Sequence, residues 1–386
     1  MWSASQTLMR RRLRIAFVLD SGGSARAGGL VSGDRIIHLL RKDHDVVSVG
    51  LHGDVALEPL YLPIGQDLVT ANSFSFARPD TDLLCQAFDG ADVVHVQLPF
   101  FLGFRAIALA KELRLPVVTA HHVQPENLFG SLALFSPWLA RVVGRPFVAR
   151  ALNRLMTHTF YNRASAIICP SQLALDELLT AGLTTPAEVI SNGAPAQFAP
   201  LAARPQGPFT VLTVGRLVPE KHHALVLEAV GLAKHGAQMR LVIAGKGPMQ
   251  AKLEQLAKSS PARVELGFKS DEELLRLYQT ADLYVHASEA ELEGMAALEA
   301  MRCGCPMVTS DSRTNATRQF ALDAAHVFPN GDVQALADKL DECFEHPERQ
   351  ATERAKTLAA VRGYGLEHTV AAYQRVYQHV AAMHHS

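Results

Sequence analysis

Four short stretches hold the side chains whose types and spacing could do chemistry. Val214-Gly-Arg-Leu-Val-Pro-Glu-Lys221 ends a predicted strand and sets Arg216 and Lys221 five positions apart in a strand-to-helix loop. Two cations beside a helix N-terminus suit a diphosphate, because the side chains neutralise phosphate while the helix end adds partial positive charge. Taken alone, the pair equally describes two solvated loop cations. Glu291-Leu-Glu-Gly-Met-Ala-Ala-Leu-Glu299 spaces two carboxylates eight positions apart, one in a loop and one in the helix that Gly294 opens. An ionised carboxylate only accepts hydrogen bonds and can take two hydroxyls, so one can hold a sugar and the other a ribose. Glu293 lies between them and is the less suited participant. The plain alternative is acidity at a helix start, which complements the helix dipole. Gly28-Gly29 follows the first strand, where absent side chains let backbone approach a ligand. His121-His122 ends a middle strand, a position that by itself reads as a hydrogen-bonded packing histidine.

Composition narrows the classes. The 386 residues carry 37 Lys and Arg against 38 Asp and Glu, a net charge of −1, so no overall field draws the chain to a polyanion. Nucleic acid is therefore not expected as a partner. Apolar residues make up 48% and charged ones 19%, which builds buried cores and excludes a disordered chain. At about 100–200 residues per domain, the length suits two domains or three. No apolar run reaches the roughly 18 residues of a membrane-spanning helix. The basic cluster Arg10, Arg11, Arg12 and Arg14 leads straight into a strand, so a secretory signal is not expected. Five cysteines with no C-x-x-C pair argue against a disulfide framework or zinc site and fit a reducing cytoplasm.

One rhythm must position these residues: short Val- and Ile-rich runs alternating with longer amphipathic stretches. Arg14–Asp20, His44–Gly50, Ala91–Gln97, Pro116–His121, Ala166–Pro170 and Glu188–Ser191 read as strands, with helices over Gly29–Arg41, Phe104–Arg114 and Ser171–Ala181. Four prolines in Pro195–Pro208 read as an interdomain linker. The rhythm then restarts with strands Thr210–Gly215, Arg240–Gly245, Arg263–Leu266, Asp282–Ala287 and Pro306–Ser310. Strands alternating with helices predict parallel sheets of βαβ units. The expected fold class is α/β, two doubly wound Rossmann-like domains facing across a cleft, with ligands beyond the carboxyl ends of the strands. Residues 1–200 are expected to form the first domain, 201–366 the second, and 367–386 a helical tail packing back on the first.

Together, and in this order, the motifs resemble the retaining family-4 glycosyltransferases of GT-B fold over nearly the whole chain. Ser191-Asn-Gly193, Ile243-Ala-Gly-Lys-Gly-Pro248, Leu266-Gly-Phe268 and Leu298-Glu-Ala-Met-Arg-Cys-Gly-Cys-Pro306 carry the resemblance further. It implies that residues 1–200 are the acceptor side and residues 201–366 bind the nucleotide sugar, with Arg216 and Lys221 gripping the donor diphosphate and stabilising it as leaving group. It implies Glu299 on the nucleotide ribose and Glu291 on the donor sugar. Gly294, Met295 and Ala296 would offer backbone amides, Gly28 and Gly29 would approach the phosphates, and backbone near Gly267 and Phe268 would read the base. His122, rather than His121, would orient donor sugar and acceptor at the catalytic face, followed by Gln124, Pro125, Glu126 and Asn127.

The implied reaction moves a hexosyl unit from a nucleotide-diphosphate sugar, a UDP-sugar favoured, with retention of configuration. No carboxylate is an evident nucleophile, so a front-face displacement is expected over a covalent intermediate. No metal and no cofactor beyond the co-substrate are expected. Asp80-Thr-Asp82 and Asp43-His-Asp45 look like D-x-D metal motifs, but their positions fit a helix cap and a turn. Gly245-Lys-Gly247 lacks the third glycine of a dinucleotide fingerprint. Residues 127–175 hold five arginines and no acid, so +5 there leaves −6 elsewhere. The arginines run from Arg141 to Arg163, with Phe135 and Trp138 just before them and Phe147 among them. Such a basic amphipathic segment can lie on anionic lipid, or can be an ordinary helix pair with solvated arginines. Together with a looser similarity to bacterial diacylglycerol glucosyltransferases, it predicts a lipid acceptor. The enzyme would then be cytoplasmic and peripheral on the inner membrane face. The alternatives are a soluble or polysaccharide acceptor, or an inactive GT-B scaffold.

Overall fold

The alternating pattern becomes two parallel sheets, each in its own unit. The structure, a computed structural model, describes residues 11–20, 28–62, 75–124 and 146–385. One unit comprises residues 1–192 with 366–386, the other 193–365.

In the first unit the strands are β1 (Arg14–Val18), β2 (Asp45–Gly50) and β3 (Val55–Ala56). A small antiparallel pair follows, β4 (Pro59–Leu60) with β5 (Phe76–Ala77). Then come β6 (Val93–Val96), β7 (Val117–Ala120), β8 (Ala166–Cys169) and β9 (Ala187–Val189). The main sheet runs β3-β2-β1-β6-β7-β8-β9, parallel throughout. Every residue of β6, β7 and β8 is buried, as expected of strands covered on both faces. The strand order reverses between β1 and β6, the point beyond whose carboxyl ends such sheets bind ligands.

Helix Leu366–His385 belongs to this unit. Tyr373, Val376, Tyr377 and Val380 recur at helical spacing and pack with Ile15, Phe17, Ile36 and Leu40. Burying side chains of this size contributes about 1.5–3 kcal/mol each. Thr369 Oγ1 donates to Ser191 O at 2.8 Å, pinning the start of the helix.

In the second unit the strands are β10 (Thr210–Val214), β11 (Arg240–Ala244), β12 (Arg263–Gly267) and β13 (Leu283–His286). They continue with β14 (Ala290–Glu291), β15 (Met307–Ser310), β16 (Thr314–Asn315) and β17 (Val327–Phe328). The sheet order is β12-β11-β10-β13-β15-β17, and β14 pairs separately with β16. Alternate residues serve opposite faces. Val211, Leu241, Ile243, Leu283 and Val285 enter one core, while Leu212, Val242 and Tyr284 enter another with Leu298 and Met301. The switch point lies between β10 and β13.

The proline-rich stretch differs from the expected linker. The chain passes between units at Asn192–Gly193 and again at Gly365–Leu366, outside that stretch. Phe198 is buried edge-on against Tyr278 at 5.9 Å, and Arg204 Nη1 pairs with Asp282 at 2.7 Å. The prolines stop strand pairing without stopping packing, so the segment lies along the second unit.

Candidate functional site

In the second unit, β10 ends at Val214 and a single turn, Pro219–Lys221, leads into helix His223–Leu232. The junction is His222, in the left-handed conformation with φ 51°. Lys221 Nζ makes an ion pair with Glu291 Oε2. Glu291 is held on β14, paired in register with Asn315 of β16. His286, the last residue of β13, places Nε2 at 3.6 Å from the same carboxylate oxygen. Burial opposes ionisation of Glu291, but the Lys221 charge and the His286 contact outweigh it and hold the carboxyl well below the usual range. Burial also pushes His286 down, against the pull of Glu291.

The same unit holds the other expected residues. Arg216 Nη2 lies 3.6 Å from Glu220 Oε1, and burial raises the pKa of Glu220. The Glu220 carbonyl accepts from Glu289 N at 2.9 Å and Ser288 Oγ at 3.3 Å, which ties the Lys221 turn to the loop after β13. Gly294, with φ 90°, opens helix Met295–Arg302 and, having no side chain, caps none of its first amides, those of Met295 and Ala296 included. A Cβ on Gly294 would strike Thr317 Cγ2 and stand 3.5 Å from Glu291 Cγ, which places the helix start beside the carboxylate.

Glu299 is buried one turn inside that helix, and Tyr278 Oη donates to its Oε2 at 3.3 Å. Burial, with the charges of Glu291 and Glu299, raises the Tyr284 hydroxyl. Gly267 ends β12 with φ 142° and open space where a side chain would be. Phe268 follows, 48% exposed, with Lys246 Nζ 4.2 Å from its ring centroid.

In the first unit, Gly28 and Gly29 open helix Gly28–Leu40. A Cβ on Gly29 would stand 2.8 Å from His122 Cβ, so only glycine lets the helix start approach that histidine. His122 Nε2 is enclosed and has no hydrogen-bond partner among the described residues, and burial pushes the ring down to about 4. His121 does different work: its Nδ1 meets Tyr161 Oη at 2.9 Å in a fully buried pair. Asp20, after β1, is buried, and its carboxyl is pushed up to about 7 by that burial against a backbone hydrogen bond from Ala77. Gln124 Nε2 donates to Glu177 at 2.9 Å. Pro125, Glu126 and Asn127, with Phe135, Trp138, Arg141 and Arg145 of the basic segment, lie outside the described residues.

Thus Lys221, Glu291 and Gly294 come together in one unit, with Arg216 held by Glu220 of the Lys221 turn, while Gly29 and His122 meet in the other. Sequence reasoning missed His286, Tyr278, Glu220 and Asp20. His286 and Asp20 could have been found from their places at carboxyl ends of switch-point strands. Nothing local marks Tyr278 or Glu220. The acidic decoys are structural: Asp80 accepts from the amides of Asp82 and Leu83, and Asp45 pairs with Arg14 at 3.0 Å. Among the described residues no group of three His, Cys, Asp or Glu could hold a metal ion. All five cysteines are free.

Comparison with known families agrees with the fold. Residues 35–198 match the family described as Glycosyltransferase Family 4, and residues 199–358 that described as Glycosyl transferases group 1. The chain belongs to the GT-B glycosyltransferases. The chain is 30% identical to a GDP-mannose-dependent alpha-mannosyltransferase of Mycobacterium tuberculosis, over 57% of the chain and 56% of the relative. It is 27% identical to the alpha-monoglucosyldiacylglycerol synthase of Streptococcus pneumoniae, over 56% and 51%. The chain thus spans about half the length of these curated relatives. The solved structure of HepE from Anabaena with UDP superposes with a TM-score of 0.70 at 18% identity, covering 94% of this chain and 99% of that one, a likeness of fold.

Proposed function

We propose that this glycosyltransferase moves a hexosyl unit, with retention, from a nucleotide-diphosphate sugar to a hydroxyl of a lipid at a membrane surface. The observation that carries the reading is the Lys221–Glu291–His286 cluster at the switch point, with Arg216 and an uncapped helix start beside it. As the bond from the anomeric carbon to the diphosphate oxygen breaks, negative charge grows on the leaving group. Arg216, Lys221 and the amides of Met295 and Ala296 stabilise it. The acceptor oxygen bonds to the same face of the carbon and its proton passes to the departing diphosphate. Glu291 accepts hydroxyls of the donor sugar, Glu299 those of the ribose, and Gly267 and Phe268 border the base. Gly28 and Gly29 approach the phosphates, and neutral His122 orients sugar and acceptor by hydrogen bonding. No metal or further cofactor has a part in this scheme.

Two observations support the lipid acceptor. Relatives named for diacylglycerol and phosphatidylinositol products match this chain. Helix Pro146–Thr159 presents Phe147 and Leu155, both more than half exposed, on one face with exposed Arg150 and Arg154. Apolar and cationic groups on one face suit an anionic bilayer interface. Among the described residues no helix is long and apolar enough to cross a membrane.

The test offers UDP-hexoses and GDP-mannose with anionic vesicles containing diacylglycerol, and in parallel with soluble saccharides. The expected product is a glycolipid whose anomeric coupling matches the donor, abolished in Lys221→Ala. Turnover of saccharides alone would replace the acceptor class, and no turnover of any donor would overturn the reading.

A further inference from the structure

A chain of buried hydrogen bonds joins the last helix to the glycine turn. Tyr377 Oη lies 2.9 Å from His95 Nδ1, His95 Nε2 lies 2.8 Å from Gln97 Oε1, and Gln97 Nε2 donates to Gly29 O at 2.8 Å. Residues from Leu366–His385, from β6 with the residue just after it, and from the start of Gly28–Leu40 thus converge inside one unit. Gly33 stands one turn after Gly29, and a Cβ there would be 3.4 Å from Gln97 Cδ, so this bare face of the helix admits the amide.

The donors and acceptors allow one assignment. Gln97 gives its NH₂ to Gly29 O, so its oxygen must accept, and His95 Nε2 must carry the proton. The imidazole is neutral in this fully buried place, which leaves Nδ1 bare to accept the Tyr377 hydroxyl. His95 also stacks on Phe17 at 4.1 Å between centroids and meets the Tyr373 and Tyr377 rings, which fixes its plane. Order therefore runs in one direction, from hydroxyl to imidazole to amide to the Gly29 carbonyl. Gly29 in turn is the residue against His122.

The geometry points to Tyr377, His95 and Gln97 as a positioning relay by which the C-terminal helix sets the peptide plane of Gly29 and its approach to His122. As a device for donor placement it rests on the function proposed above; as a hydrogen-bond assignment it stands apart from it. Without the Tyr377 hydroxyl, the bare Nδ1 loses its partner and the other tautomer becomes competitive. That tautomer turns a lone pair toward Gln97 Oε1, which favours rotation of the amide and sets its oxygen against Gly29 O. A buried network satisfied in one arrangement loses more than one bond when one end is removed.

Two measurements test it. Nitrogen-15 NMR of the full chain, with His95 identified by its absence in His95→Gln, should show an Nε2-protonated neutral ring in the native protein and mixed tautomers in Tyr377→Phe. An Nδ1-protonated or charged His95 at pH 7 overturns the assignment whether or not the protein turns over a sugar. A double-mutant cycle on kcat/KM for the donor then tests the role. Tyr377→Phe and Gln97→Met should each lose about tenfold, borne by donor KM more than by kcat, and together lose no more than Gln97→Met alone. Losses that multiply to about a hundredfold would show two independent packing defects and overturn the relay.

Discussion

Lys221 and Glu291, 70 positions apart, form a partly buried ion pair that His286 approaches from the end of β13. The pair joins a cation from the turn after one switch-point strand to a carboxylate from the loop after its neighbour. Its two partners are also the residues on which the proposed grip on diphosphate and sugar depends.

Removing one partner of such a pair leaves the other charge uncompensated. Lys221→Ala is expected to lower stability by about 3 kcal/mol, the low end for broken buried pairs because some solvent reaches this one. It should also reduce turnover at least a hundredfold. Urea denaturation and donor turnover read the two effects separately. A stable variant with full turnover would deny Lys221 both roles.

Gly294 is expected to tolerate no side chain. Gly294→Ala combines φ 90° with a clash against Thr317 Cγ2, an expected cost of about 1–3 kcal/mol. Thr317→Ser removes that methyl yet keeps the hydroxyl that meets Thr309 at 2.6 Å and Asn315 at 2.7 Å. Adding Thr317→Ser to Gly294→Ala should therefore restore about half the loss, leaving the backbone strain. Full restoration in thermal denaturation would show that sterics, and not φ, govern the position.

His222 holds a left-handed turn between Lys221 and the helix after it. His222→Gly should be near neutral, whereas β-branched His222→Val should cost about 1–2 kcal/mol, since the conformation crowds Cβ against the carbonyl. Because Lys221 is the preceding residue, the valine variant should also raise donor KM. Equal denaturation midpoints for the two variants would contradict this.

Stability should fall as the pH drops from 7 to 5. Burial holds His95, His121 and His223 at about 3 and His122 at about 4, below the ordinary 6.5. The native state therefore binds fewer protons than the unfolded chain, and each ring's contribution is lost below about 6.5, on the order of 1 kcal/mol apiece by pH 5. Asp20 acts in the opposite sense: raised from 3.8 to about 7, it favours the native state most in acid and loses that effect as the pH rises. Glu291, depressed below 4.5, keeps its full contribution throughout this interval and loses it only in stronger acid. Four rings against one carboxyl set the net direction. A urea midpoint that rises or stays level from pH 7 to pH 5 would refute it.

Periodicity and short motifs already determined the strands, the α/β class and the loops that carry Arg216, Lys221, Glu291, Glu299, Gly29 and His122. These are properties of neighbours in the chain: a Val-rich run buries as a parallel strand wherever it sits, and a loop at its carboxyl end faces the switch-point crevice. Partners are another matter. The contact of His286 with Glu291, the Tyr278 bond to Glu299 and the Tyr377 bond to His95, 282 positions apart, depend on which strands become neighbours and where the last helix docks. The proline-rich stretch shows the same limit, since missing amide donors forbid pairing there but say nothing of Phe198 finding a buried slot. Local sequence sets what each segment can be, and long-range burial decides which side chains meet, because that choice minimises exposed apolar surface and unpaired polar groups over the whole unit.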